Sequence, residues 1–254
     1  MGRILTTTGN PCPLGCKYCF AAAPQYNSFP NLSEVKQVSL FAADYQHIQL
    51  ACDTELFINP QQALRLIEAV VEAGSNVSFI TKMALSDHLV DRISQISHTA
   101  RNKGIIVSCS VSFTSTHSAT EYEPTAPAPD RRIDTLKKLY RAGVHTRVAI
   151  RPLIPTVNLW ELEELVDRTI PYTYSYYSGP LWLPKLDPNF VAPGTVIRHR
   201  QVSWMPGNPR WYHLEHPQKQ RSLAEHIERS GSYLYSSSIE AIAYTREQYF
   251  TRVA

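Results

Sequence analysis

Apolar positions along the chain switch repeatedly between two periods. Short alternating or continuous apolar runs predict strands at 3–8, 47–52, 77–81, 104–112, 145–154 and 172–183. Between them, stripes at helical spacing predict helices. Val35, Val38, Phe41 and Ala42 follow Ser33, and Ala63, Leu66, Ile67, Val70 and Val71 follow an Asn59-Pro60 start. Leu89, Val90, Ile93 and Ile96 follow Ser86, Ile133, Leu136 and Tyr140 follow Asp130, and Leu162, Leu165 and Val166 follow Asn158. Gly74 and Gly143 stop two of these helices, and Asn158 with Glu161 has the spacing of a capping box. Strand and helix thus alternate through roughly six units, which predicts a parallel sheet with crossover helices. An open doubly wound sheet and a partial barrel both satisfy that pattern.

Two strands carry more information. Val107, Cys109 and Val111 alternate with Ser108, Ser110 and Ser112, and Thr146, Val148 and Ile150 alternate with His145, Arg147, Ala149 and Arg151. A parallel strand covered on both faces is normally apolar throughout. One polar face therefore means either an edge strand wetted on one side or a lumen that holds a polar ligand. Arg147 and Arg151 on that face suit a carboxylate or phosphate, or an acidic partner inside the barrel. Tyr172, Tyr174, Tyr176, Tyr177 and Trp182 offer either stacking surfaces for a base or packing that closes the open side of the barrel.

Beyond residue 190 the periodicity weakens and prolines cluster at Pro193, Pro206, Pro209 and Pro217, with helical patterns at 221–229 and 237–251. Residues 1–190 are expected to form the barrel, and residues 191–254 a short C-terminal extension packed on its substrate side. Arg198, His199, Arg200 and Arg210 near Trp204 and Trp211 add modest positive charge there.

Composition narrows the class. The 254 residues carry 25 Lys+Arg against 22 Asp+Glu, a net +3 that neither demands nor excludes a nucleic-acid partner. No apolar run reaches membrane-spanning length and no signal-peptide pattern opens the chain, so a cytoplasmic protein without a membrane partner is expected. Three of the five cysteines fall within eight residues, which reads as thiolates binding a metal rather than a disulfide framework.

That cluster is Asn10-Pro11-Cys12-Pro13-Leu14-Gly15-Cys16-Lys17-Tyr18-Cys19-Phe20, a C-x3-C-x2-C spacing directly after the first strand. Gly15 permits a positive-φ bend that would turn three thiolates toward one region. Three thiolates are one ligand short of both a four-iron cluster and a structural zinc site, and an incomplete set leaves a metal position open. A zinc site completed by a distant histidine is the alternative.

The motif resembles the signature of the radical S-adenosylmethionine (SAM) superfamily. The resemblance implies a partial (β/α)6 barrel and a [4Fe-4S] cluster on Cys12, Cys16 and Cys19. It further implies SAM as cofactor, cleaved reductively to a 5′-deoxyadenosyl radical that takes a hydrogen from substrate. An electron donor such as flavodoxin or ferredoxin is implied with it. Further matches are Ala51-Cys52-Asp53-Thr54-Glu55, Ile80-Thr81-Lys82, Val107-Ser108-Cys109-Ser110, Glu123-Pro124, Arg131-Arg132-Ile133 and Pro152-Leu153-Ile154-Pro155. In this order they resemble the spore photoproduct lyase and its photolyase-like relatives. That likeness implies Cys52 as hydrogen-atom donor and SAM contacts from Thr54, Glu55, Lys82, Ser110 and the Tyr18 backbone. It points to a nucleobase or nucleotide substrate, with a small metabolite or peptide as the alternative. The lyase's N-terminal region is expected to have no counterpart. Simple strand alternation places Cys52 on the helix side with Ile48 and Leu50, and a bulge at the strand end would turn it inward.

Overall fold

The computed structural model describes residues 2–23 and 26–252. Strands β1 (Arg3–Leu5), β2 (His47–Leu50), β3 (Asn76–Thr81), β4 (Val107–Ser112), β5 (His145–Ile150) and β6 (Ser175–Ser178) follow one another in space as in sequence. β7 (Leu181–Leu183), β8 (Val196–Gln201) and β9 (Arg210–Glu215) form a separate antiparallel sheet in the order β7-β9-β8. β10 (Leu234–Tyr235) returns to the main sheet beside β6, and all seven strands of that sheet are parallel. The curled sheet is a partial barrel.

Helices form over each predicted apolar stripe, and one short helix, Ala119–Tyr122, arises where none was predicted. They are α1 (Val38–Ala42), α2 (Pro60–Glu72), α3 (Asp87–Asn102), α4 (Ala119–Tyr122), α5 (Pro129–Arg141), α6 (Leu159–Thr169), α7 (Pro217–Arg229) and α8 (Ser238–Arg252). Asn59 caps α2 by accepting from the Gln62 N–H at 3.1 Å, with Pro60 in the first turn where its missing N–H costs nothing. Ser86 caps α3 in the same way through Leu89. Leu66, Ile67, Val70 and Val71 of α2 are buried against the sheet, each contributing roughly 1.5–3 kcal/mol of transfer free energy. The expected capping box at Asn158 does not form. Glu161 Oε2 instead accepts from the His117 and Ser118 N–H groups at 3.0 and 2.8 Å, and of the box only a long 3.5 Å bond from the Asn158 side chain to Oε1 remains.

Two expectations change in three dimensions. The run 172–183 is two strands in different sheets, split at Gly179-Pro180. Chain beyond residue 190 does more than pack on the barrel. β10 adds a strand to it, and α8 then runs along its inner face. Ala241 packs with Ala149 and Tyr177, Thr245 meets His145, and Tyr249 reaches the Gly143 carbonyl below the strands. The aromatic run mostly packs: Tyr176 and Tyr177 are buried and Tyr174 stacks on His145.

β4 and β5 lie in the middle of the sheet, so their polar face is a lumen and not a wetted edge. The inward set includes His47, Gln49, Ser78, Ser108, Ser110, His145, Arg147 and Ser175, held in register across neighbouring strands. His47 meets Ser78 at 2.7 Å and His145 meets Ser108 at 2.9 Å. Burial, with Arg3 and Arg147 nearby, pushes the His47 imidazole down to about 3. Burial and Arg147 hold His145 well below the ordinary histidine range. Both are neutral in the folded protein, whereas the unfolded chain takes up protons below about pH 6.5. Stability is therefore full above that pH and is lost as pH falls toward the folded values, by up to about 1.4 kcal/mol per pH unit for each histidine. His47→Gln is expected to flatten the acid limb by about that slope between pH 6 and 4, measured by urea unfolding at stepped pH.

Candidate active site

A cavity of about 410 Å³ opens at the carboxyl ends of the strands, where parallel α/β folds place their sites. Cys12, Cys16 and Cys19 all line it. The loop that carries them follows β1. Gly15 sits at φ +57°, the left-handed bend that an L side chain resists. The loop is pinned from across the barrel: the Lys17 N–H donates to the Tyr122 carbonyl at 2.9 Å, and Thr125 Oγ1 donates to the Pro13 carbonyl at 2.8 Å. Burial pushes the Cys16 thiol up, partly offset by nearby Lys82, and Cys16 is within electrostatic reach of Cys12 and Cys19. Among the described residues no three His, Cys, Asp or Glu side chains converge as they would on a single metal ion. Three thiols lining one cavity are a donor set that suits iron–sulfur ligation, in which each thiolate would bind a different iron.

Beneath that loop lies a buried charge hub. Glu123 accepts from the Tyr18 hydroxyl, pairs with Arg132 Nη2 at 2.7 Å and lies 3.8 Å from Lys82 Nζ. Burial works against the Glu123 carboxylate, but Lys82 and Arg132 outweigh it and hold its pKa below the usual range. Arg132, 1% exposed, also donates to the Ser112 carbonyl at 2.9 Å. Lys82 is set over the Tyr18 ring and lines the cavity. Burial opposes its charge, yet Glu123 and Cys16 keep its pKa above the ordinary lysine value.

Glu55 closes the same wall. Its Oε1 accepts from Phe57 N–H at 3.1 Å and Thr81 Oγ1 at 2.8 Å, and its Oε2 from Lys82 N–H at 2.9 Å. Burial raises its pKa despite these three donors. One carboxylate thus ties the end of β2 to the end of β3. Oε2 keeps acceptor capacity for a cationic group in the cavity. Thr54 lines the cavity while donating to the Asn10 carbonyl at 2.7 Å, which clamps the cysteine loop to the chain after β2.

Cys52 faces the cavity, not the helices as strand alternation predicts. The cause is Ala51, whose φ of +51° reverses the side-chain direction just past β2. The Cys52 N–H then donates to the Thr6 carbonyl at 2.8 Å, and its thiol lies 3.4 Å from the Gln49 carbonyl. Burial pushes the thiol pKa up to about 12, so it stays protonated at neutral pH. The left-handed backbone costs a non-glycine residue about 1–2 kcal/mol. Ala51→Val adds a β-branch at a buried position and is expected to destabilise by about 2 kcal/mol or more, against little change for Ala51→Gly, both read by urea unfolding.

Ser110 does not reach the cavity. It is fully buried one inward position deeper, with its hydroxyl unpartnered among the described residues, and Ser112 lines the wall instead. Tyr18 lines the cavity, but its hydroxyl is committed to Glu123 and its ring lies under Lys82. Sequence reasoning assigned no role to Glu123, Arg132 or Arg3. The first two come from irregular chain and a helix, and only the fold makes them neighbours. Arg3 carried a signal, since it shares the inward parity of Leu5. Phe20, Phe29 and Trp204 also escaped notice as a group. Their rings form one aromatic wall, with Phe20 and Trp204 centred 5.3 Å apart.

Known proteins with this architecture are informative. A variant of spore photoproduct lyase superposes with a TM-score of 0.62 at 15% identity, covering 92% of this chain and 82% of that one. Streptococcus suis SuiB bound to S-adenosylmethionine gives 0.63 at 13% identity, covering 94% of this chain and 51% of that one. The radical SAM methyltransferase TsrM from Kitasatospora setae gives 0.57 at 13% identity, covering 94% and 55%. These neighbours are radical SAM enzymes, and the chain has their fold. By sequence, an uncharacterized protein of Methanocaldococcus jannaschii is 24% identical over 177 residues, 65% of each chain. The chain thus spans about two thirds of that relative and about half of SuiB. No family profile matches it. Among the described residues no helix is long and apolar enough to cross a membrane.

Proposed function

We propose that the chain is a radical SAM enzyme that holds one [4Fe-4S] cluster on Cys12, Cys16 and Cys19 and SAM in the adjoining cavity. The observation that carries this reading is that all three thiols line one cavity at the carboxyl ends of the strands. Bound together and reduced by a donor such as flavodoxin or ferredoxin, the two groups would supply a 5′-deoxyadenosyl radical that abstracts a substrate hydrogen. The protein's own part is to bind, orient and exclude water. Lys82 presents a cation to the SAM carboxylate. Glu55 Oε2 presents an acceptor to its ammonium, and Thr54 sets the distance between the cysteine loop and that wall.

Within this class the best-supported chemistry is lyase-like, on a nucleobase or nucleotide. Cys52 supports it, because its protonated thiol faces the cavity and can return a hydrogen atom to a product radical. Residues 180–205 supply Trp182 and Trp204 to the wall, so the C-terminal region is assigned to the substrate side. The test is anaerobic reconstitution with iron and sulfide, reduction, addition of SAM and detection of 5′-deoxyadenosine by mass spectrometry. Cleavage is expected. Cys52→Ala is expected to keep cleavage but change the product formed from true substrate. An unchanged product at an unchanged rate would remove the donor role.

A further inference from the structure

Three arginines come together at the lumen, and none of them forms an ion pair among the described residues. Arg3 Nη2 donates to Ser238 Oγ at 3.1 Å, and Arg147 Nη1 donates to the Ser238 carbonyl at 2.7 Å. Two guanidinium groups, from β1 and β5, therefore meet at one residue. Arg151, just beyond β5, is close enough to Arg3 for their charges to interact. Its side chain makes no hydrogen bond or ion pair among the described residues, and neither Arg3 nor Arg147 pairs with an acid there. Arg147 is 1% exposed, and its Nε has no hydrogen-bond partner among the described residues. The same holds for Arg3 Nε and the buried Tyr177 hydroxyl.

Ser238 is the first residue of α8, a 15-residue helix whose N-terminus points up into the cavity. That end of a helix carries a partial positive charge and favours an anion. Arg3, Arg151, Ser237 and Ser238 line the cavity together, and Cys52 stands among them, within electrostatic reach of both arginines. Of the carboxylates lining the same cavity, Asp53 accepts from the Tyr26 hydroxyl through Oδ2 at 2.5 Å and leaves its buried Oδ1 without a hydrogen-bond partner among the described residues, while Glu55 is held by its three donors; neither forms an ion pair with these arginines. Like charges without counter-charge are costly where water is scarce, and the folded protein gathers three guanidinium groups, Arg147 fully buried and Arg3 and Arg151 half-buried, near a helix N-terminus. That arrangement is what a bidentate anion site requires.

We infer that the substrate carries a carboxylate or phosphate, and that Arg3 and Arg151 bind this group at the N-terminus of α8 beside Cys52, with Arg147 fixing the helix end. The inference rests on the radical SAM reading for the word substrate, while the anion site itself does not. It makes the arginines a specificity device: they anchor a charged end so that the reacting part of the molecule lies next to the Cys52 thiol. A neutral substrate would leave the cluster unbalanced and bind poorly.

The test begins with cluster-free protein at constant ionic strength held with chloride. Inorganic phosphate and acetate are titrated separately, followed by calorimetry, against wild type, Arg151→Gln, Arg3→Gln and Arg65→Gln, a control exposed on α2 away from the cavity. Saturable binding of one or both anions is expected, weakened at least tenfold in Arg151→Gln and in Arg3→Gln and unchanged in Arg65→Gln. Whichever anion binds more tightly tells phosphate from carboxylate. Binding that is absent from wild type, or equal in wild type and Arg151→Gln, overturns the site. In a second arm SAM affinity of the reconstituted protein is measured by equilibrium dialysis. Retained affinity in Arg151→Gln supports the assignment to substrate. A tenfold loss overturns it and gives the arginine to the SAM carboxylate. If the anion titrations behave as expected and the wild type cleaves no SAM, the anion site stands and the radical SAM reading fails.

Discussion

Replacing any one of Cys12, Cys16 or Cys19 with alanine is expected to abolish SAM cleavage and strip most of the bound iron. A four-iron cluster held by three protein thiolates has no spare ligand, so each cysteine is individually required. Cys109 is the matched control. It is buried on the helix-facing side of β4, away from the cavity, and Cys109→Ala should keep iron and cleavage. That variant should lose only about 1–2 kcal/mol of stability for the small void it leaves. Cys52→Ala should retain iron as well, because Cys52 lies on the chain after β2 and not on the cysteine loop. Iron and zinc content by elemental analysis, read beside 5′-deoxyadenosine formation, separates the possibilities. Three alanine variants that still cleave SAM would sink the cluster assignment. Zinc in place of iron in the wild type would revive the mononuclear site.

Glu123→Ala is expected to destabilise the protein by about 3–5 kcal/mol, because it leaves the buried Arg132 charge without its counter-ion. Lys82 and the Tyr18 hydroxyl lose a partner in the same step. Its neighbours in sequence, Tyr122 and Thr125, hold the cysteine loop, so iron retention should fall along with stability. Arg132→Met in the Glu123→Ala background should recover part of the loss, since removing both charges is less costly than stranding one. Urea unfolding of the two single variants and the double variant measures the coupling. A purely additive cycle would show that the ion pair does not hold this corner of the barrel together.

Much of the scaffold is written in local pattern. Asn59-Pro60 and Ser86 start their helices for the reason the sequence suggests, an orphan N–H that a side chain can satisfy. The serines of β4 mark a polar lumen because alternation with period two leaves one strand face polar. The resemblance at Cys12, Cys16 and Cys19 leads to the fold that the neighbours share. Lys82, Glu55 and Thr54, which the resemblance singles out, line the cavity.

Other features depended on chain that is distant in sequence. Alternation fails at Cys52 because one alanine adopts a left-handed backbone, which no side-chain pattern encodes. Ser110 has the right parity for the lumen, but depth along the barrel decides that Ser112 reaches the ligand space. The Asn158 box gives way to the His117 and Ser118 amides of a distant loop, from which Glu161 accepts instead. Periodicity identifies α8 as a helix but cannot tell that its apolar stripe packs inside the barrel, since inner and outer packing demand the same spacing. The meeting of Arg3, Arg147 and Arg151 above it is likewise a property of closure: 148 residues of sequence separate Arg3 from Arg151, and the curl of the sheet brings their charges together. Local residue chemistry settled the elements, the cysteine loop and the polarity of the lumen, because backbone hydrogen bonds and burial act within a few residues. Which charges would be left unbalanced, and which thiol would face them, was decided by the tertiary structure, because electrostatics acts through space and is blind to order along the chain.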